Sequence, residues 1–195
     1  MLGRLIVVEG LDGTGKTALT RGLAEVLNGV VLTSPSPKFR PFRDQLEACF
    51  AKSPEARQLF YAATVLEASS QALEYINSGK DVIMDRYILS TLTYANLYST
   101  PFSLEEIVPS LAVPTFTIYL RASRSQRKLR MNSRDNIGVE DKLTLTPVND
   151  RVLNEEYLAL LTTHPLTGRV IIIDTNGLTN EDAVNQSVKA LELTG

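Results

Sequence analysis

A chain of 195 residues with 44% hydrophobic side chains is long enough to close one domain, spanning 1–195, around its own core. Its 20 Lys and Arg nearly balance 22 Asp and Glu, which argues against the strongly basic surface of a dedicated nucleic-acid binder. Cys49 is the only cysteine and His164 the only histidine, so neither an internal disulfide nor a Cys/His metal cluster is expected, and a reducing cytoplasm is the expected compartment.

Leu5-Ile6-Val7-Val8 is a continuous apolar run, the mark of a strand buried on both faces, and it is too short for a signal region. A glycine-rich turn follows. A helix is expected from about Lys16, with Leu19, Leu23 and Leu27 on one face. Val30-Val31-Leu32 reads as a second strand, leading into Ser34-Pro35-Ser36-Pro37, which must be loop. From Pro54 to about Ser78 the spacing of Leu59, Ala62, Leu66, Leu73 and Ile76 predicts a long helix, stopped by Gly79.

Asp81–Met84, Phe116–Leu120 and Val170–Ile173 are the third, fourth and fifth strands, with helical stretches between them. A last helix is expected from Thr179, with Asp182 placed as in a capping box. No apolar run approaches the ~20 residues of a membrane helix. Strand and helix alternate throughout, which implies an α/β three-layer sandwich: a five-stranded parallel sheet with helices on both faces. Ligands in such sheets bind at the carboxyl ends of the strands, so the polar residues there are the ones to weigh for chemistry.

Directly after the first strand, Gly10-Leu11-Asp12-Gly13-Thr14-Gly15-Lys16-Thr17 matches the G-x-x-x-x-G-K-[ST] phosphate loop in full. Gly10, Gly13 and Gly15 let the backbone curl so that successive N–H groups, including those near Asp12 and Thr14, face a phosphate at a helix N-terminus. Lys16 reaches the β- and γ-phosphates of ATP, and Thr17 offers its hydroxyl to Mg²⁺. A regulatory GTPase should also carry Asn-Lys-x-Asp, which the chain lacks. Asp135-Asn136-Ile137-Gly138 fits D-x-x-G only formally, since it follows a basic stretch and not an apolar strand. A small-molecule kinase remains, which must bind donor and acceptor and cover them with a positive lid.

After the third strand come Asp85-Arg86-Tyr87, then Ser90-Thr91 and Tyr94. With the phosphate loop, these residues give the chain a specific resemblance to the thymidylate kinase family, densest at residues 5–27 and 79–95. The resemblance implies MgATP-dependent conversion of dTMP to dTDP. It assigns Asp12 to the acceptor 3′-hydroxyl, Arg86 to the acceptor phosphate, Phe60 to stacking on the base, Thr91 to the base from the other side, and Tyr94 to the sugar. Asp85 holds Mg²⁺ through water or orients Arg86. The same resemblance places a lid at about 124–143, where Arg124, Arg127, Arg130 and Arg134 recur at helical spacing. Gly13 stands where one branch of the family has an arginine, so the resemblance implies that lid arginines meet the transferring phosphoryl group; Arg130 and Arg134, nearest the polar Asn132-Ser133, are the first choices. A homodimer is implied as well.

Two positions depart from the pattern. Thr64 stands where a family arginine reads the thymine edge, and the loop after strand two lacks its usual arginine, with Lys38, Arg40 and Arg43 close behind. A kinase of the same fold acting on another or modified nucleotide, or on a nucleoside, is the first alternative. A nucleotide-binding protein without catalysis is the second, and retention of Lys16, Thr17, Asp85 and Arg86 speaks against it.

Overall fold

The computed structural model describes residues 2–98, 103–133 and 139–193. Arg134 and the Asp135–Gly138 stretch lie outside the described residues. Five strands form one sheet: β1 (Leu5–Gly10), β2 (Val30–Thr33), β3 (Val82–Asp85), β4 (Phe116–Arg121) and β5 (Arg169–Asp174). Their order is β2-β3-β1-β4-β5 and every pairing is parallel. β1 is therefore central, with Val8 beside Asp85 on one side and Gly10 beside Leu120 on the other. This register brings the phosphate loop, the end of β3 and the end of β4 to one rim.

Alternation along β1 divides the core in two. Leu5 and Val7 pack with α3 (Pro54–Asn77), α4 (Ile88–Leu97) and α7 (Pro147–Thr163); Ile6 and Val8 pack with α1 (Lys16–Leu27) and α8 (Asn180–Leu193). Helices thus cover both faces, as the strand–helix alternation predicts. Leu19 and Leu23 are buried and Leu27 is partly so. The expected cap of α8 is present: Asp182 N–H donates to Thr179 Oγ1 (3.1 Å), and Thr179 N–H donates back to Asp182 Oδ2 (3.1 Å).

Three details refine the expected elements. β3 begins at Val82, because Asp81 instead receives the Arg4 backbone N–H (2.7 Å) and guanidinium (2.5 Å). In α3, Leu59 and Leu73 are 46% and 40% exposed, while Ala62, Val65, Ala68 and Ala72 face the core. Small side chains let this helix lie close to the sheet, which turns its buried face away from the two leucines. Third, α2 (Arg40–Phe50) follows a short 3₁₀ turn at Pro37–Phe39. The loop expected at Ser34–Pro37 is therefore confined to Ser34–Ser36. α5 (Arg124–Asn132) and α6 (Val139–Thr144) complete the helices used below.

Candidate active site

The phosphate loop is held by its own side chains. Thr14 Oγ1 donates to Leu11 O (2.8 Å), and the Lys16 ammonium curls back to the same carbonyl (2.9 Å) with Asp12 3.9 Å away. Burial lowers the Lys16 ammonium to about 8; the Arg86 charge adds to the fall, and Asp12, Asp85 and Glu9 oppose it. Gly13 has φ +83°, and a Cβ there would lie 2.9–3.1 Å from the backbone and Cβ of Arg127 on α5. A side chain at position 13 is excluded by that contact, which accounts for glycine where some relatives of the resemblance carry arginine.

The Asp85-Arg86-Tyr87 segment leaves β3 beside this loop. Thr17 Oγ1 donates to Asp85 Oδ2 at 2.7 Å. Mg²⁺ takes one or two protein oxygens and completes its shell with water and phosphates, so this hydroxyl–carboxylate pair fits it. Among the described residues no group of three or more His, Cys, Asp or Glu side chains could hold a metal, so such an all-protein cage is not present there. Arg86 sits at φ +68°, a left-handed conformation that costs a non-glycine residue about 1–3 kcal/mol. Its amide donates to Val8 O (3.0 Å), which ties the strained residue to β1.

The Arg86 guanidinium pairs with Asp12 and donates to Ser90 Oγ (3.3 Å). Tyr94 OH donates to the other Asp12 oxygen at 2.6 Å. Burial alone would raise the Asp12 carboxyl, but Arg86, Lys16 and the Tyr94 hydroxyl hold it well below the usual carboxylate range. Asp12, Arg86 and Tyr94, three residues separated by up to 82 positions, thus form one cluster. Thr91 is buried one turn before Tyr94 on α4.

The residues expected to meet the acceptor base lie on α3 and α4. Phe60 is half-buried among Phe39, Phe50 and Tyr61, with ring centroids 5.3–6.2 Å apart. Thr64 is fully buried; its hydroxyl donates to Tyr61 O (2.8 Å) and lies 3.2 Å from Ser34 Oγ. Two turns earlier on α3, Arg57 is buried with its guanidinium carbon 4.6 Å from the Tyr98 ring centroid and 5.8 Å from that of Phe50. Lys38 and Arg40 line a groove of about 480 Å³ that also reaches Thr17 and Asp85.

The arginines of α5 act on the loop itself. Arg127 is 0% exposed: Nε donates to Asp12 O (2.6 Å), Nη1 pairs with Asp150 of α7, and Nη2 donates to Thr144 Oγ1 (3.1 Å). Arg130 donates to Thr14 O (3.3 Å), Thr175 Oγ1 (2.9 Å) and Thr175 O (2.6 Å). On the helical face expected to form the lid, these two arginines donate to phosphate-loop carbonyls. Arg124 donates to Leu145 O (3.4 Å), away from that loop.

Four side chains at or beside this site carry no motif signal strong enough to select them. Arg127 is one member of an evenly spaced run, and Arg57 and Tyr157 stand in stretches without a motif. Glu9 has the clearest signal, a carboxylate closing an otherwise apolar strand just before the loop.

The family model described as thymidylate kinase matches residues 8–186. The chain is 27% identical to the probable thymidylate kinase of Methanococcus aeolicus, covering 97% of this chain and 96% of that protein. It is 33% identical to the thymidylate kinase of Synechococcus sp. (strain WH7803), covering 77% and 81%. The solved structure of thymidylate kinase from Candida albicans shares the fold, with a TM-score of 0.74 at 21% identity over 99% of this chain and 92% of that one. The family match spans nearly the whole length, and the chain belongs to the thymidylate kinase family.

Proposed function

We infer that this protein transfers the γ-phosphoryl group of ATP to dTMP, giving ADP and dTDP. The observation that carries this is the Asp12–Arg86–Tyr94 cluster standing directly against the phosphate-loop lysine. An acceptor phosphate oxygen attacks the γ-phosphorus, and the bond from that phosphorus to the β–γ bridging oxygen breaks, leaving its electron pair on ADP. No covalent enzyme intermediate is required, so the residues act by positioning and charge. Lys16 holds the β- and γ-phosphates, and the planar fork of Arg86 takes the acceptor phosphate. Asp12, given up by Arg86, accepts from the 3′-hydroxyl, and Tyr94 stays beside the sugar. Phe60 and Thr91 flank the base.

Mg²⁺ at Thr17 and Asp85 would offset the charge on the donor phosphates. Arg127 and Arg130 keep the loop carbonyls fixed, so their contribution runs through loop geometry. Arg134 keeps the lid role that the resemblance implies. No described helix is long and apolar enough to cross a membrane, and a cytoplasmic setting accords with the family. The exposed Leu59 and Leu73 on α3 support association of two copies through helices, as the resemblance implies.

The hydroxyl pair of Thr64 and Ser34 favours weaker selection of the thymine edge than a guanidinium would give. A coupled ADP-release assay over all nucleoside monophosphates and nucleosides tests both points. The expected result is turnover of dTMP with modest preference over dUMP and dCMP, abolished by Lys16→Ala. A kcat/KM for dTMP ~100-fold below that for another acceptor would reassign the substrate, since that gap exceeds one base contact.

A further inference from the structure

Glu9 is fully buried near the end of β1, in a strand whose other positions are apolar or glycine. Its Oε1 accepts from the backbone N–H of Tyr87 (2.9 Å) and of Ser90 (3.2 Å). Its Oε2 accepts from Ser90 Oγ (2.5 Å) and from Tyr157 OH (3.2 Å). Tyr157 OH also lies 2.9 Å from Ser90 Oγ. The N-cap residue of α4 is Tyr87, and its own side chain makes no cap hydrogen bond. The first turn of a helix leaves its amides without partners, and a carboxylate there also meets the positive end of the helix. Glu9 supplies that cap from another strand.

Hydrogen accounting links the cap to Arg86. A serine hydroxyl has one hydrogen to give. With Ser90 giving it to Glu9, its lone pairs face the Arg86 guanidinium (3.3 Å), and the single Tyr157 hydroxyl hydrogen is shared between Glu9 Oε2 and Ser90 Oγ. Arg86 is thus bracketed by β1: Val8 O takes its amide, and Glu9 takes the amides of Tyr87 and Ser90. These contacts hold a residue whose backbone is left-handed. A strand buried on both faces is ordinarily filled by apolar side chains, so the carboxylate is kept at a desolvation cost that its four donors offset.

We propose that Glu9, with Ser90 and with Tyr157 of α7, positions Arg86 for the acceptor phosphate. This rests on the role given to Arg86 above. Tyr157 brings α7 into the arrangement, and the same helix carries Asp150, whose partner Arg127 holds the Asp12 carbonyl. One helix therefore braces both halves of the Asp12–Arg86 pair.

The test is steady-state kinetics with each substrate varied, together with a thermal melt of every variant. Glu9→Gln is the primary variant, because its amide oxygen still caps α4 while the acceptor for Ser90 and Tyr157 is lost; Tyr157→Phe removes one donor only. Each is expected to lower kcat/KM for dTMP about tenfold and to leave the KM for ATP within about twofold. Combined with Arg86→Lys, each should add less than about threefold to the loss from Arg86→Lys alone, since both act through the same side chain. Parallel changes in both KM values, losses that multiply in the double variants, or full activity in Glu9→Gln and Tyr157→Phe would overturn the proposal. An Arg86→Lys enzyme with unchanged kcat/KM for dTMP would instead overturn the role of Arg86 itself, and the proposal with it.

Discussion

Lys16 and Asp12 show how burial is used at the scale of single residues. Lys16 is nearly inaccessible, and its ammonium falls to about 8 because burial and the Arg86 charge outweigh the nearby carboxylates. Phosphates bound at the loop favour the charged form and raise this value again. Binding therefore takes up a proton once the free lysine is neutral, and affinity must fall as pH rises through about 8. Calorimetric titration of ADP from pH 7 to 9.5 should show affinity weakening by up to about tenfold per unit above 8, with proton uptake. Lys16→Arg should remove that slope, and a flat wild-type profile would contradict it. Gly13 gives a second residue-scale expectation. Gly13→Arg should not add a useful cation, because φ +83° and the Arg127 backbone leave no space for a Cβ. We expect its stability to fall by at least about 1–3 kcal/mol in urea, with activity lost and not gained.

At the scale of elements, α5 and α7 carry more of the site than their sequence suggests. The pair Arg127–Asp150 joins them under the loop, and Arg127 is wholly buried. Arg127→Leu leaves the Asp12 carbonyl without this donor and Asp150 without this cation. The expected loss is about 3–5 kcal/mol of stability by denaturant unfolding, with a fall in kcat, and Arg127→Leu/Asp150→Leu should recover part of the stability. A single-variant loss under ~1 kcal/mol would contradict this bracing role, since leaving one member of a buried pair unpaired costs more than that. α3 carries the opposite lesson. Its apolar spacing predicted a helix of the right extent, yet Leu59 and Leu73, two of the residues that carry that spacing, are exposed. Ala62, Ala68 and Ala72 instead allow close approach, and Ser69 Oγ faces inward to accept the Ala112 amide (2.7 Å).

For the whole molecule, the central strand couples two cores to one rim. Leu23 of α1 is fully buried on the α1–α8 side, away from the Asp12–Arg86 cluster. Leu23→Ala should cost about 2–5 kcal/mol by urea denaturation while leaving kcat for the folded enzyme within about twofold. A large fall in kcat at temperatures where the variant stays folded would show that this core also tunes the phosphate loop.

The five strands, the phosphate loop and the Asp85–Arg86 strand end were legible in the sequence, because each rests on residues adjacent in the chain or repeating at a fixed period. A run such as Leu5–Val8 needs no distant partner to be recognised, and neither does Gly10–Thr17. The pairing of Glu9 with Tyr157, 148 positions apart, and of Arg127 with Asp12, 115 apart, leaves no such local trace. Nor could the spacing of the α5 arginines show that Arg127 is buried against Asp12 O while Arg130 stays partly exposed, since both share one period. Tertiary structure alone decided these, and the closing of Thr64 against Ser34, because burial and hydrogen-bond partners depend on which elements the sheet order brings together. The sequence by itself determined the chemistry on offer, and the packing of α3, α4, α5 and α7 around β1 determined which side chains are free to perform it and which hold the others in place.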